Sequence, residues 1–208
     1  MGLTGSVFSG ALTAGNHQIS LPQSGLTIVG VALDGPFITV PLDSSRTAIL
    51  PNSVSGGSGN VVTFVGPMRR VHWKVNGQTL NFATPGTSAG VFFYYGTPLE
   101  GSKPLESFAG VYGSTTLASG AGTVQLAFPK GPLRLTGFTV VDQTTKNAGM
   151  TTSWSTSSGQ SLTVQRFGSE ASNFMDIVPL DLEAAINLTV SITNGNATDV
   201  VYVIVYYV

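Results

Sequence analysis

Short runs of alternating apolar and polar residues recur along this chain at intervals of about eight to twelve residues. In the first half they read "HQISLP", "GLTIVGVAL", "PFITVPL", "RTAILP" and "NVVTFVG". In the second half they read "TVQLAFP", "LRLTGFTVV", "TTSWST", "SLTVQRF", "NLTVSIT" and "VVYVIVYYV". A period of two places successive side chains on opposite faces of a strand, so each run predicts a strand with one buried face. Between the runs lie turn clusters such as "SVSGGSGN", "VNGQ", "TPGTSAG", "TTKNAG" and "TNGNAT". Helical periodicity is confined to a short turn at "DLEAAI" (Asp181 to Ile186), which reads equally well as a loop entering a strand. The pattern predicts an all-β protein of antiparallel β-sandwich or jelly-roll type, and it excludes a parallel α/β sheet.

The two halves repeat one another. "AGNHQISLPQSGLTIVG" (Ala14 to Gly30) aligns without a gap to "AGTVQLAFPKGPLRLTG" (Ala121 to Gly137), an offset of 107 positions. Ala14, Gly15, Gln18, Pro22, Leu26 and Gly30 meet identical residues at Ala121, Gly122, Gln125, Pro129, Leu133 and Gly137. Both halves also close on a strand, a glycine turn and an aromatic-rich strand, although the offset drifts there. A repeat this long exceeds a solenoid unit and suits one small sandwich. The expected organisation is a first sandwich over residues 1–97, a linker at 98–104 within the Pro- and Gly-containing "GTPLEGSKPLE", and a second sandwich over 105–208. A single jelly roll over 1–208 is the alternative.

The closing run "VVYVIVYYV" (Val200 to Val208) departs from simple alternation. Val201, Val203, Val205 and Tyr207 are apolar on one face, and Tyr202, Ile204 and Tyr206 on the other. A strand with one solvated face alternates apolar with polar, so this one is expected to be covered on both sides. The second cover is either the other sandwich or a neighbouring copy, which makes Tyr202, Ile204 and Tyr206 candidates for an interaction surface. "VFFYY" (Val91 to Tyr95) carries the same feature.

Composition changes the picture at this point. Charged residues are 9% of the 208 and the net charge is −1, whereas an ordinary soluble protein is about one-quarter charged. A surface so poor in charge favours association. Cysteine is absent, which removes disulfides, thiolate metal sites and cysteine nucleophiles. The two histidines, His17 and His72, stand far apart, no Gly-x-Ser-x-Gly elbow surrounds a serine, and the ten carboxylates fall mostly in turns. No enzyme, metal or cofactor is expected. Nine scattered Lys and Arg make no case for nucleic acid, and no apolar run reaches the ~20 residues of a spanning helix.

The densest charge is "RRVHWK", with Arg69, Arg70, Trp73 and Lys74. Basic side chains beside an indole suit an anionic or glycan contact. Alternating outward Arg and Lys also serve to blunt a sheet edge, and that reading is preferred here. Trp154, flanked by small polar residues in "TTSWSTSS", is the other candidate for a contact surface. In its tandem strands, two-sided apolar runs and neutral surface, the chain resembles capsid, decoration and spike proteins of bacterial viruses built on jelly-roll or tandem β-sandwich folds. That resemblance implies a non-enzymatic structural subunit located in the virion, partnered by itself and other virion proteins, without cofactor. A carbohydrate-binding or adhesive module at a cell surface is the alternative, with a glycan as partner.

Overall fold

The computed structural model describes residues 3–51, 68–88, 90–128, 133–142, 150–156, 159–165, 178–184 and 187–208. The strand expected at "NVVTFVG" lies outside them. The turn clusters "SVSGGSGN" and "TTKNAG" do as well.

Among the described residues, each alternating run forms a strand. The first half holds β1 (Leu3–Ser9), β2 (Gly15–Ser20), β3 (Thr27–Asp34), β4 (Phe37–Pro41), β5 (Thr47–Pro51), β6 (Arg69–Lys74), β7 (Thr79–Thr84) and β8 (Gly90–Gly96). A two-residue β9 (Lys103–Pro104) and one 3-10 turn (Leu105–Phe108) follow. The second half holds β10 (Gly110–Thr116), β11 (Gly122–Ala127), β12 (Leu133–Asp142), β13 (Thr151–Thr156), β14 (Ser161–Gln165), β15 (Val178–Ala184), β16 (Asn187–Thr193) and β17 (Val200–Tyr207). The helical turn considered at "DLEAAI" is not formed among the described residues, since its first four residues end β15.

The chain divides into two compact units, Met1–Ala109 and Gly110–Val208. In the first, one sheet has the order β1-β8-β3-β6 with β9 added in parallel to β6, and the other has the order β2-β7-β4-β5. In the second, the sheets are β10-β17-β12-β15 and β11-β16-β13-β14. Numbered from its own first strand, each unit therefore reads 1-8-3-6 and 2-7-4-5. This is the connectivity of an eight-stranded jelly roll, and the chain carries it twice. Lys103–Pro104 pair with β6, and Leu105 and Phe108 are buried in the first unit. Residues 105–109 thus belong to the first unit, although the sequence pattern places them in the second sandwich.

The internal repeat has a three-dimensional counterpart. β2 and β11 begin at Gly15 and Gly122, the paired glycines of the 107-residue offset. The register of β3 slips between Ile28 and Gly30 against both its neighbours, and that of β12 slips between Leu135 and Gly137. A β-bulge thus sits at the same repeat position in each unit, where it bends the strand and raises its twist.

Each jelly roll packs its two sheets over an apolar core. In the first, the Phe82 ring of β7 lies 5.2 Å from the Phe93 ring of β8, among Ile28, Val31, Leu33 and Leu80. In the second, the Trp154 ring of β13 lies 4.4 Å from the Phe138 ring of β12. Fully burying a side chain of this kind contributes about 1.5–3 kcal/mol before entropy is counted.

Candidate interaction surface

β6 presents the basic cluster, and the pleat divides it. Val71 is buried and Trp73 half-buried on one face, while Arg70, His72 and Lys74 are exposed on the other. Arg69 shares the half-buried face with Trp73. The four residues grouped in the sequence are therefore two pairs facing opposite ways. Arg70 Nη1 donates to the Glu100 carbonyl at 2.8 Å, tying β6 to the turn that leads into β9. The Trp73 ring meets Phe93 edge-on at 6.2 Å and 74°, which braces the indole from the core side. β6 is not a free edge, because β9 pairs alongside it at Val71 and His72. The basic side chains accordingly have no bare edge to blunt at that point.

Trp154 is 1% exposed. Its indole N–H donates to the Thr152 hydroxyl at 2.8 Å inside the core. It offers no face to a glycan, and the sequence expectation of a contact residue is corrected here. The small polar neighbours that suggested exposure, Ser153 and Ser155, occupy the outward face of β13.

Both faces of β17 are buried. Tyr202, Ile204 and Tyr206 are as buried as Val201, Val203 and Val205. These three residues do not form an exposed surface. Burial raises the pKa of Tyr202, and the nearby Tyr112 hydroxyl adds to the shift.

The exposed aromatic surface lies one strand away, on the edge strands. Phe8 on β1 is 47% exposed and Tyr112 on β10 is 46% exposed. Phe8 pairs with Phe92 of β8, and Tyr112 pairs with Ile204 of β17. Phe92 and Ile204 each precede the closing Tyr-Tyr pair by two positions, so Phe8 and Tyr112 occupy one repeat position in two jelly rolls. In the first unit the ring of Phe8 stacks on Phe92 at 4.4 Å, and Phe92 stacks on Tyr94 at 6.0 Å. Nothing in the local pattern marks Phe8, because its partner on β8 is more than eighty residues away. Among the described residues, no group of three or more His, Asp or Glu side chains is placed to hold a metal ion. No helix among them is long and apolar enough to cross a membrane.

No protein-family model matches the chain. No curated protein matches it either. Among solved structures, it is similar to the major capsid protein P2 from bacteriophage PM2, with 12% identity and a TM-score of 0.38 over 97% of this chain and 96% of that one.

Proposed function

We propose that this chain is a non-enzymatic structural subunit of a viral particle, working through contacts with copies of itself and with other particle proteins. Eight-stranded jelly rolls serve viral shells, lectins and cupins, so topology alone does not choose between them. A cupin needs clustered metal ligands, and the described residues supply no such cluster. The observation that carries the reading is the surface. It belongs to a chain with 9% charged residues and a net charge of −1, and it exposes Phe8 and Tyr112 at matching places on two jelly rolls. A surface of that kind does not repel its own copies. A neighbour that docks on one of these aromatics finds another aromatic at the matching position of the second jelly roll, which suits repeated contacts in a symmetric assembly.

The test is absolute mass by light scattering over about a hundredfold range of concentration, since association follows mass action. A closed oligomer that persists on dilution supports the reading, and replacing Phe8 and Tyr112 by Ser shifts it toward monomer. A monomer at every concentration overturns it.

A further inference from the structure

The two jelly rolls differ at one joint. In the second unit β13 and β16 stay in register over six positions, from Thr151 opposite Thr193 to Thr156 opposite Leu188. The corresponding strands of the first unit, β4 and β7, are in register only where Thr39 meets Ala83. Ala83 pairs with Asn16 as Ser191 pairs with Thr123, so Thr39 corresponds to Ser153 and Pro41 to Ser155. On the far side of Thr39 the β7 ladder ends at Pro41. The Leu42 N–H points at β5, where it reaches the Arg46 carbonyl at 3.0 Å. The nitrogen one residue earlier therefore faces β7, and in proline it has no hydrogen to donate. Past Thr39, β4 stays paired with β5, through Pro41 opposite Thr47, and has no further ladder partner on β7.

Two cavities adjoin at this joint, and Pro41 and Asn81 line both. The larger, about 590 Å³, takes in Trp73, Lys74, Asn76 and Glu106. The smaller, about 390 Å³, takes in His17 and Gln18. Each is of the size that holds a small ligand, about 300–1,000 Å³.

The lining selects a chemistry. Trp73 is half-buried and braced on Phe93, so it stands as a fixed aromatic platform. In the same cavity, Asn76 and Asn81 both donate and accept hydrogen bonds. Lys74 and Glu106 offset one another, which gives an anionic polymer no net attraction. The walls of the larger cavity set the apolar Val40, Leu42 and Val75 beside the amides of Asn76 and Asn81, a mixture that offers both contact and hydrogen bonds. A sugar ring has apolar C–H faces for an indole and hydroxyls that match amides in both directions. We propose that the larger of these adjoining cavities binds a neutral oligosaccharide, with Trp73 as platform and Asn81 as the central hydrogen-bonding residue. This adds recognition of a glycan-bearing surface to the assembly role and does not depend on that role.

The chain has two tryptophans, and Trp154 is sealed in the core, so a ligand-induced change in indole emission reports Trp73. The purified full chain is titrated with maltohexaose, xylohexaose and chitohexaose, with an oligogalacturonate and an extended Val/Thr-rich peptide as controls. The expected result is a saturable change with at least one neutral hexasaccharide, at a Kd of about 0.1–10 mM. Saturation-transfer NMR then follows the variants without using the indole. Asn81→Ala weakens binding about tenfold, the loss of one good hydrogen bond. Trp73→Phe, which keeps a ring against Phe93, weakens it by a similar factor and leaves thermal unfolding near that of the parent. Light scattering of the Asn81→Ala protein reads assembly separately. Three outcomes overturn the proposal: no response to any neutral probe, a response only to the oligogalacturonate or peptide, or undiminished binding in both variants.

Discussion

Tyr206 of β17 stands opposite Gly137 of β12, immediately past the β-bulge, and Tyr94 of β8 stands opposite Gly30 of β3 in the same way. The bulge, the glycine and the tyrosine therefore recur as a unit in both jelly rolls. The glycine has a local reason in the first. A Cβ built on Gly30 would lie 2.2 Å from Met68 Sδ, so the thioether occupies the space a side chain would need.

Gly30→Val is accordingly expected to destabilise the protein by about 1–3 kcal/mol through overpacking. Met68→Ala in the same chain recovers part of that loss, because it vacates the contested space. Urea unfolding of the two single variants and the double variant gives the coupling directly. Additive losses would show that Met68 is not what excludes the side chain.

Trp154 is the largest side chain buried in the second core, with Phe138 against its ring and Thr152 on its indole N–H. Trp154→Ala is expected to cost about 3–5 kcal/mol. Thr152→Val preserves shape but strands the indole N–H without its acceptor, for about 1–3 kcal/mol. Equilibrium urea unfolding followed by far-UV circular dichroism checks both, and a Thr152→Val protein as stable as the parent would show that another group takes the bond.

Two glycines with similar backbone angles separate conformational cost from steric cost. Gly77 has φ +89° and open space where a Cβ would go, whereas a Cβ on Gly120, at φ +81°, would lie 2.3 Å from the Gly195 carbonyl oxygen. Gly195 N–H also donates to the Gly120 carbonyl at 2.9 Å, so the two turns are locked together. Gly77→Ala is expected to cost about 1–2 kcal/mol, the penalty for placing an L-residue in the left-handed region. Gly120→Ala costs that and a backbone displacement besides. Thermal denaturation ranks them, and equal losses would mean the 117–121 turn moves freely.

The β4–β5 turn contains an acid-sensitive element. Asp43 Oδ1 accepts from the Ser45 N–H at 2.8 Å, the Ser45 hydroxyl at 2.9 Å and the Arg46 N–H at 2.9 Å, while Oδ2 meets Arg46 Nε at 2.7 Å. These bonds, the Ser45 N–H first, hold the carboxyl well below the usual carboxylate range. A depressed folded pKa contributes stability that is present above the unfolded value of about 3.9 and is lost as pH falls through the folded one. The side chain is at the surface, so the global effect is small and the signature is local. Carbon-detected NMR is expected to show the Asp43 carboxyl titrating far below 3.9, and Asp43→Ala to loosen the Leu42–Arg46 closure. A midpoint near 3.9 would mean the turn does not hold in solution.

Much of this architecture was legible in the sequence. The period-two runs marked the strands, and the 107-residue offset marked the duplication, down to the glycines that begin β2 and β11. "TTSWST" shows where reading by neighbours fails. Alternation placed Thr152, Trp154 and Thr156 on one face, yet the small polar residues around Trp154 suggested exposure. A core position can be flanked by polar residues when those residues point the other way and a threonine hydroxyl satisfies the indole. The end of the β4–β7 ladder at Pro41 was not legible, because the side of the strand that the Pro41 nitrogen faces is set by pairing with distant residues. Phe8 and the anchors Leu105 and Phe108 were missed for the same reason.

The pairing of first strand with last has a consequence in time. β1 finds its neighbour only when β8 exists, since Leu3 lies opposite Gly96, and β10 likewise waits for β17, with Thr116 opposite Val200. At a synthesis rate of roughly 5–20 residues per second, β1 stays open-edged for roughly 5–20 s before its partner leaves the ribosome. Closing such distant contacts is also slow in itself. A nascent chain with so little charge to keep its copies apart thus has a window in which an uncompleted first jelly roll can pair with the wrong strand. The first unit can close while the second is still being made, and the order of emergence then separates two sets of strands with the same connectivity that would otherwise compete for partners.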